Sequence, residues 1–275
     1  MHTETHLYRF NHGNDFRAYT LRGESVSSLD PFLAVDHAWM NEATFPPHPH
    51  AGFSAVSYLF LDSETGITNR DSLGNRNIIQ PGGLHWTAAG RGVVHEEIPT
   101  EQGKTVHMLQ IFVNLSKEMQ QQPAKALSLL PHDIPVIQDD GRRIRVVLGE
   151  FEGVSSPLCP PTEVNMYDIS LDDEQEQEIT IPAGHNAFIL PVFGSLEVDN
   201  RSYASDIPKV PVFSCSMDKQ KFVLVAKNGN CKLVVFTGKP LHQPVYWQGP
   251  FALSSKTELG AAIAAYQHGK FGTLV

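Results

Sequence analysis

The chain has 275 residues, 41% apolar and 19% charged, with 21 Gly, 19 Pro and a formal net charge of −9. That balance describes a folded, turn-rich protein long enough for two domains, and it excludes a disordered chain. The acidic charge leaves no broad basic surface for a phosphate backbone, so direct nucleic-acid binding is not expected.

The polar N-terminus, Met1-His2-Thr3-Glu4-Thr5-His6, is followed by no apolar signal core. No stretch approaches the ~20 apolar residues of a spanning helix, so the expectation is a cytoplasmic protein with no membrane partner. The first chemically informative run is Pro47-His48-Pro49-His50-Ala51-Gly52-Phe53. Alternate side chains of an extended strand share a face, so His48 and His50 point the same way.

From Phe53 to Leu115, short apolar runs alternate with turn signals such as Ser63-Glu64-Thr65-Gly66 and Asp71-Ser72-Leu73-Gly74-Asn75. This is the pattern of a β-meander or barrel. Pro81-Gly82-Gly83 fits a tight turn that starts the strand Leu84-His85-Trp86-Thr87. Gly90-Arg91-Gly92 lacks the Lys-Ser/Thr ending and the helix of a phosphate loop, and reads as a hairpin corner. It leads into Val93-Val94-His95-Glu96-Glu97, where His95 and Glu97 share a strand face and Glu96 points away.

Two such pairs facing each other offer three imidazoles and one carboxylate to a single ion. A six-coordinate metal held this way keeps about two positions open for chemistry. A closed structural zinc site would more usually be rich in Cys, and none lies near either run. The neighbouring strands add His85, His107 and Gln110 as candidates for lining the cavity or supporting a ligand.

The polar stretch from 116 to 140, with one or two helical turns at Lys117 to Gln122, is the expected domain junction. A second strand series follows at 143–149, 163–171, 177–181, 187–192, 196–198, 221–225 and 232–236, spaced as in a sandwich or barrel. The acidic run from Asp172 to Glu178 reads as a solvated turn. The three cysteines, Cys159, Cys215 and Cys231, are too sparse and odd in number for a disulfide framework and fit a reducing compartment. His185 lies in the stretch of the second half that corresponds to the first pair, with no His-x-His around it. Ser255-Lys256-Thr257-Glu258 has capping-box spacing, and Leu259, Ala262, Ile263 and Tyr266 follow at helical intervals, predicting one amphipathic helix that ends near Gly269.

Taken together, His48-Pro49-His50-Ala51-Gly52-Phe53, Asn69-Arg70-Asp71-Ser72-Leu73-Gly74-Asn75, Pro81-Gly82-Gly83-Leu84-His85-Trp86 and Ala89-Gly90-Arg91-Gly92-Val93-Val94-His95-Glu96-Glu97 resemble the pirin family. Leu29-Asp30-Pro31-Phe32-Leu33, Leu109-Gln110-Ile111-Phe112-Val113-Asn114-Leu115 and Gly249-Pro250-Phe251 extend the resemblance over most of the chain. It implies an all-β bicupin of two cupin-type β-barrels with a short C-terminal helix. Residues 1–135 would form the metal-binding barrel and residues 136–275 a barrel without a metal site.

The resemblance also implies one divalent ion, commonly iron with Mn, Ni, Cu or Zn as alternatives, bound by His48, His50, His95 and Glu97. Some pirins are quercetin 2,3-dioxygenases, which would make Glu97 the catalytic base and a flavonol-like aromatic the substrate, beside His85, His107 and Gln110. Others are described as regulators, which would make this a metal- or redox-dependent monomer binding a transcription factor or metabolic enzyme. A sugar or small-acid isomerase is a third possibility by fold analogy. Ala51, Ser54, Asn69 and His85 depart from the common family pattern around the ligands, where substrate choice is made.

Overall fold

The computed structural model describes residues 2–274, and of Glu24 and Ser25 only the backbone. Strands dominate, with two α-helices, Lys117–Gln120 and Lys256–Gln267. No helix among the described residues is long and apolar enough to cross a membrane. The chain divides into two units, each assembled from separated segments. One comprises Met1–Tyr8, Leu21–Pro31 and His132–Pro240; the other comprises Arg9–Thr20, Phe32–Pro131 and Leu241–Val275. Neither unit is a continuous half of the chain: the N-terminal segment Met1–Tyr8 groups with His132–Pro240, and the C-terminal segment Leu241–Val275 with Phe32–Pro131.

In the unit built around Phe32–Pro131, two antiparallel sheets form the barrel. The larger orders its strands Lys125–Leu129, Leu84–Ala88, Phe53–Leu59, Val106–Asn114, Phe32–Met40, Phe16–Leu21 and Tyr8–His12. The smaller orders His48–His50, Val93–Pro99, Ile67–Asp71 and Arg76–Ile79. Strict alternation sets which side chains face inward. Ala38 and Met40, Leu59, and Val106 and Met108 meet in one apolar cluster with Phe16, Ala18, Ile67 and Ile79. Lys125–Leu129 lies inside the stretch expected to be a linker and pairs with Leu84–Ala88, from Lys125 opposite Ala88 to Leu129 opposite Leu84.

The other unit is one large antiparallel sheet whose interior is filled by apolar side chains, among them Ile144, Tyr167, Ile169, Ile179, Leu196, Leu224, Leu233 and Val235. Its two longest strands, Asn186–Val198 and Gln220–Gly238, each replace two strands expected from the sequence. In the first, the core-facing positions change from Ala187 and Ile189 to Leu196 and Val198. In the second they change from Phe222, Leu224 and Ala226 to Cys231, Leu233 and Val235. Pairing between the strands shifts register between Pro191 and Ser195, and Asn228 and Gly229 have positive φ. Extra residues there exchange the strand faces without ending the strand, as a β-bulge does.

The acidic run is a turn at 172–175, with Glu174 at φ 60°, and its remaining residues open the strand Glu176–Ile181. His185 is buried but bonded to Thr237 Oγ1 and Glu163 Oε1, so it has a structural role. Cys159 and Cys215 are exposed, and Cys231 is buried, its thiol pushed up to about 11 by burial. The C-terminal helix begins as its capping box predicts, with Ser255 Oγ accepting from the Glu258 amide at 3.1 Å and donating to the Glu258 carboxylate at 2.9 Å. Its Leu259, Ala262 and Ile263 lie partly buried against Ala51, Val94, Phe251, Leu253 and Phe271.

Candidate metal centre

The strand Val93–Pro99 runs between His48–His50 on one side and Ile67–Asp71 on the other. Its register places His95 opposite His48 and Val93 opposite His50. The His-x-His pair and His95, 45 residues further on than His50, therefore meet at the same level of one sheet. His48 Nε2 and His95 Nε2 lie 3.2 Å apart, and the ring centroids of His48, His50 and His95 are 4.7–4.8 Å from one another. Among the described residues these three side chains form the cluster suited to holding a metal ion.

Two metal–nitrogen bonds of about 2.1 Å at tetrahedral to octahedral angles span about 3.0–3.4 Å, so the Nε2 separation matches two corners of one coordination sphere. The protonation states agree. Burial pushes the His50 imidazole down to about 3, helped by the neighbouring His48 and opposed by the Pro250 carbonyl. His95 lies well below the usual histidine range, first through burial and then through His50, His48 and His85. His48, less deeply placed, is lowered by burial against the raising effects of the Pro46 carbonyl and Glu96. All three are thus neutral near pH 7, as metal ligands must be. His48 Nδ1 donates to the Pro46 carbonyl at 2.9 Å, which leaves Nε2 as the lone-pair nitrogen aimed at the cluster. Nδ1 of His95 is buried and has no hydrogen-bond partner among the described residues.

Glu97 shares the strand face of His95 but stands outside the three-histidine cluster. Ser57 Oγ donates to Glu97 Oε2 at 2.7 Å, and burial nevertheless pushes the carboxyl up to about 7. Ser57 also lies 3.1 Å from Gln110 Oε1, which places Gln110 on this same interior face. His85 is buried within electrostatic reach of His95, and burial pushes it down to about 4 against the pull of Asp71. Asn69 Nδ2 lies 3.3 Å from His85 Nε2 and donates to Asn77 Oδ1 at 2.9 Å.

His107 is placed elsewhere. It stands an odd number of residues from Gln110 on one strand and so faces the opposite side of the sheet. There its Nε2 lies 2.7 Å from His37 Nε2, its Nδ1 lies 3.0 Å from both Asp62 carboxylate oxygens, and its ring stacks on Trp39. His107 therefore does not face the histidine cluster, contrary to expectation, because Val106, Met108 and Gln110 are the positions of this strand that point inward.

The aromatic surroundings of His50 were not anticipated. Phe53 and Phe112 stand 5.1 and 5.6 Å from it, and Trp247 lies over both at 5.9 and 6.1 Å. Trp247 belongs to the hairpin formed by Tyr246–Gln248 and Phe251–Leu253. That hairpin is fastened next to the His-x-His strand, where Ala252 N donates to the Ala51 carbonyl at 3.1 Å. Gly249-Pro250-Phe251, noted in the sequence, marks its turn.

A β-barrel that carries a cluster of three neutral imidazoles, in a chain whose other unit is a β-domain with an apolar interior, defines a cupin-type protein with a candidate metal site. The sequence comparisons narrow this. Residues 13–113 match the family model described as Pirin, and residues 166–272 match Pirin C-terminal cupin domain. Pirin-like protein 2 of Arabidopsis thaliana is 33% identical over 263 residues, covering 93% of this chain and 80% of that protein. Pirin of Rattus norvegicus is 29% identical over 265 residues, covering 92% and 86%. The crystal structure of a quercetin 2,3-dioxygenase from Acinetobacter baumannii superimposes with a TM-score of 0.87 at 28% identity, covering 99% of this chain and 98% of that one. The chain belongs to the pirin family.

Proposed function

We propose that this pirin is a mononuclear metal oxygenase that acts on a flavonol-type aromatic, with one divalent ion, iron(II), held by His48, His50, His95 and Glu97. The observation that carries the reading is the meeting of three neutral imidazoles, two of them buried, with two Nε2 atoms 3.2 Å apart. The likeness to the Acinetobacter quercetin 2,3-dioxygenase over nearly the whole chain supports it.

When bound, such an ion supplies Lewis acidity toward a substrate hydroxyl and a redox centre for oxygen chemistry. The chain's own residues do the rest. His48, His50 and His95 fix the position against which the substrate oxygens are aligned. Ser57 holds Glu97 by Oε2, which leaves Oε1 for the ion while Glu97 is a ligand and, once substrate displaces it, for the hydroxyl proton. Phe112, partly exposed and packed on the buried Phe53, offers apolar surface to an aromatic ring beside His50.

The test is anaerobic reconstitution with iron(II), admission of oxygen and measurement of quercetin consumption for the wild type and His50→Ala. Consumption by the wild type, reduced at least about tenfold in the variant, is expected. Equal turnover by the two proteins removes the reading.

A further inference from the structure

On the Val106–Asn114 strand only Gln110 and Phe112 retain partial exposure, and both lie on the interior face. Solvent therefore reaches the barrel interior alongside His50, at the place where the C-terminal hairpin crosses. Trp247 occupies that crossing. Its indole is tilted 28° from the plane of the fully buried Phe53 and 40° from that of Phe112. Its Nε1 donates to the Gly249 carbonyl at 2.7 Å, which fixes the ring's orientation. Yet the residue keeps 40% of its surface exposed.

The hairpin cannot drift away from the histidines. Trp247 pairs with Ala252, and Ala252 is bonded to Ala51, the residue that follows His50. A large ring, held rigidly, partly uncovered and continuous through Phe112 with a metal-ligating histidine, costs little entropy to use as a contact surface. Planar aromatic ligands stack on such a surface, whereas small aliphatic chelators gain nothing from it.

We propose that Trp247 is a specificity-determining residue: with Phe112 it forms the wall on which a planar aromatic ligand stacks while its oxygen atoms reach the histidine cluster. This rests on the reading of that cluster as the metal centre, and it names the part of the chain that selects aromatic ligands there. The C-terminal segment, remote in sequence from the His-x-His pair, is then part of the ligand site.

Calorimetric titration of anaerobic, iron(II)-loaded protein tests this, with quercetin and naphthalene-2,3-diol as planar aromatic chelators and acetohydroxamate as a small aliphatic one. Trp247→Ala should weaken both aromatic probes about three- to tenfold, as the loss of one stacking partner implies. Trp247→Phe should stay close to wild type, and acetohydroxamate should bind all three proteins alike. Unchanged aromatic affinity in Trp247→Ala, an equal loss of all three probes, or no aromatic binding by the wild type overturns the proposal. Failure of the wild type to consume quercetin in oxygen would count against the oxygenase reading alone and would leave this discrimination standing.

Discussion

Gly52→Ala separates the contribution of the C-terminal hairpin from that of the histidines themselves. Gly52 lies two residues beyond His50 with φ +87°, and a Cβ there would stand 2.0 Å from the Ala252 carbonyl oxygen and 2.7 Å from Leu253 Cδ1. The first contact is with backbone, so no rotamer change relieves it. Gly74 supplies the control: its φ is +88°, but nothing lies within 4 Å of its added Cβ. Left-handed backbone in a non-glycine residue costs about 1–2 kcal/mol, which is all that Gly74→Ala should show. Gly52→Ala adds overpacking against a fixed strand, for a total of about 2–5 kcal/mol. In a chain of this size that lowers the melting temperature of the metal-free protein by about 4–20 °C in calorimetry. Moving the hairpin also moves the loop after His50, so a chelator-competition titration should show metal affinity at least about tenfold weaker. If Gly52→Ala melts with Gly74→Ala and keeps wild-type metal affinity, the hairpin does not buttress the metal loop and the reasoning fails.

Other outcomes follow from the same structure. The buried His50 and His85 titrate near 3 and 4 when folded and near 6.5 when unfolded, so protons bind the unfolded chain first as pH falls. Metal-free protein should therefore lose up to about 1.4 kcal/mol per pH unit per histidine below pH 6.5, with His48 and His95 acting in the same direction. Glu97 acts oppositely, because its folded value near 7 exceeds the unfolded 4.5 and its contribution is lost as pH rises through that window. Denaturant titrations from pH 7.5 to 4.5 check the net acid destabilisation, and a flat profile would contradict it. His107→Ala should destabilise by about 1–3 kcal/mol, since Asp62 and His37 lose their shared partner, while metal content measured by elemental analysis stays unchanged. Ser255→Ala should cost about 1 kcal/mol in denaturant unfolding through loss of the helix cap, again with the metal site intact.

The candidate metal-binding pairs were legible because their signal is local: a two-residue spacing on a strand fixes a shared face whatever the fold. Their meeting across the sheet was legible only as two complementary pairs, since register is a property of strands 45 residues apart. His107 shows where that logic stops. Alternation states that His107 and Gln110 face opposite sides but not which side is the interior, and the answer depends on the whole barrel. The two long strands of the other unit misled for a related reason, because Gly194 and Asn228-Gly229 carry turn chemistry and here make face-switching irregularities within continuous strands. Trp247 and the exchange of chain ends between units had no local signature, as their contacts join segments more than 100 residues apart. The helix start at Ser255 was legible because its signal is wholly contained in four residues, and Ser255 Oγ caps the Glu258 amide.

Elemental analysis of protein purified without a metal-affinity column, after equilibration with divalent metal and removal of excess, bears most directly on the central claim. One metal ion per chain in the wild type, and close to none in His50→Ala and His95→Ala proteins that still fold, is the predicted result. Retention of the full complement by either variant, or two ions per chain in the wild type, would contradict a single centre built by His48, His50 and His95.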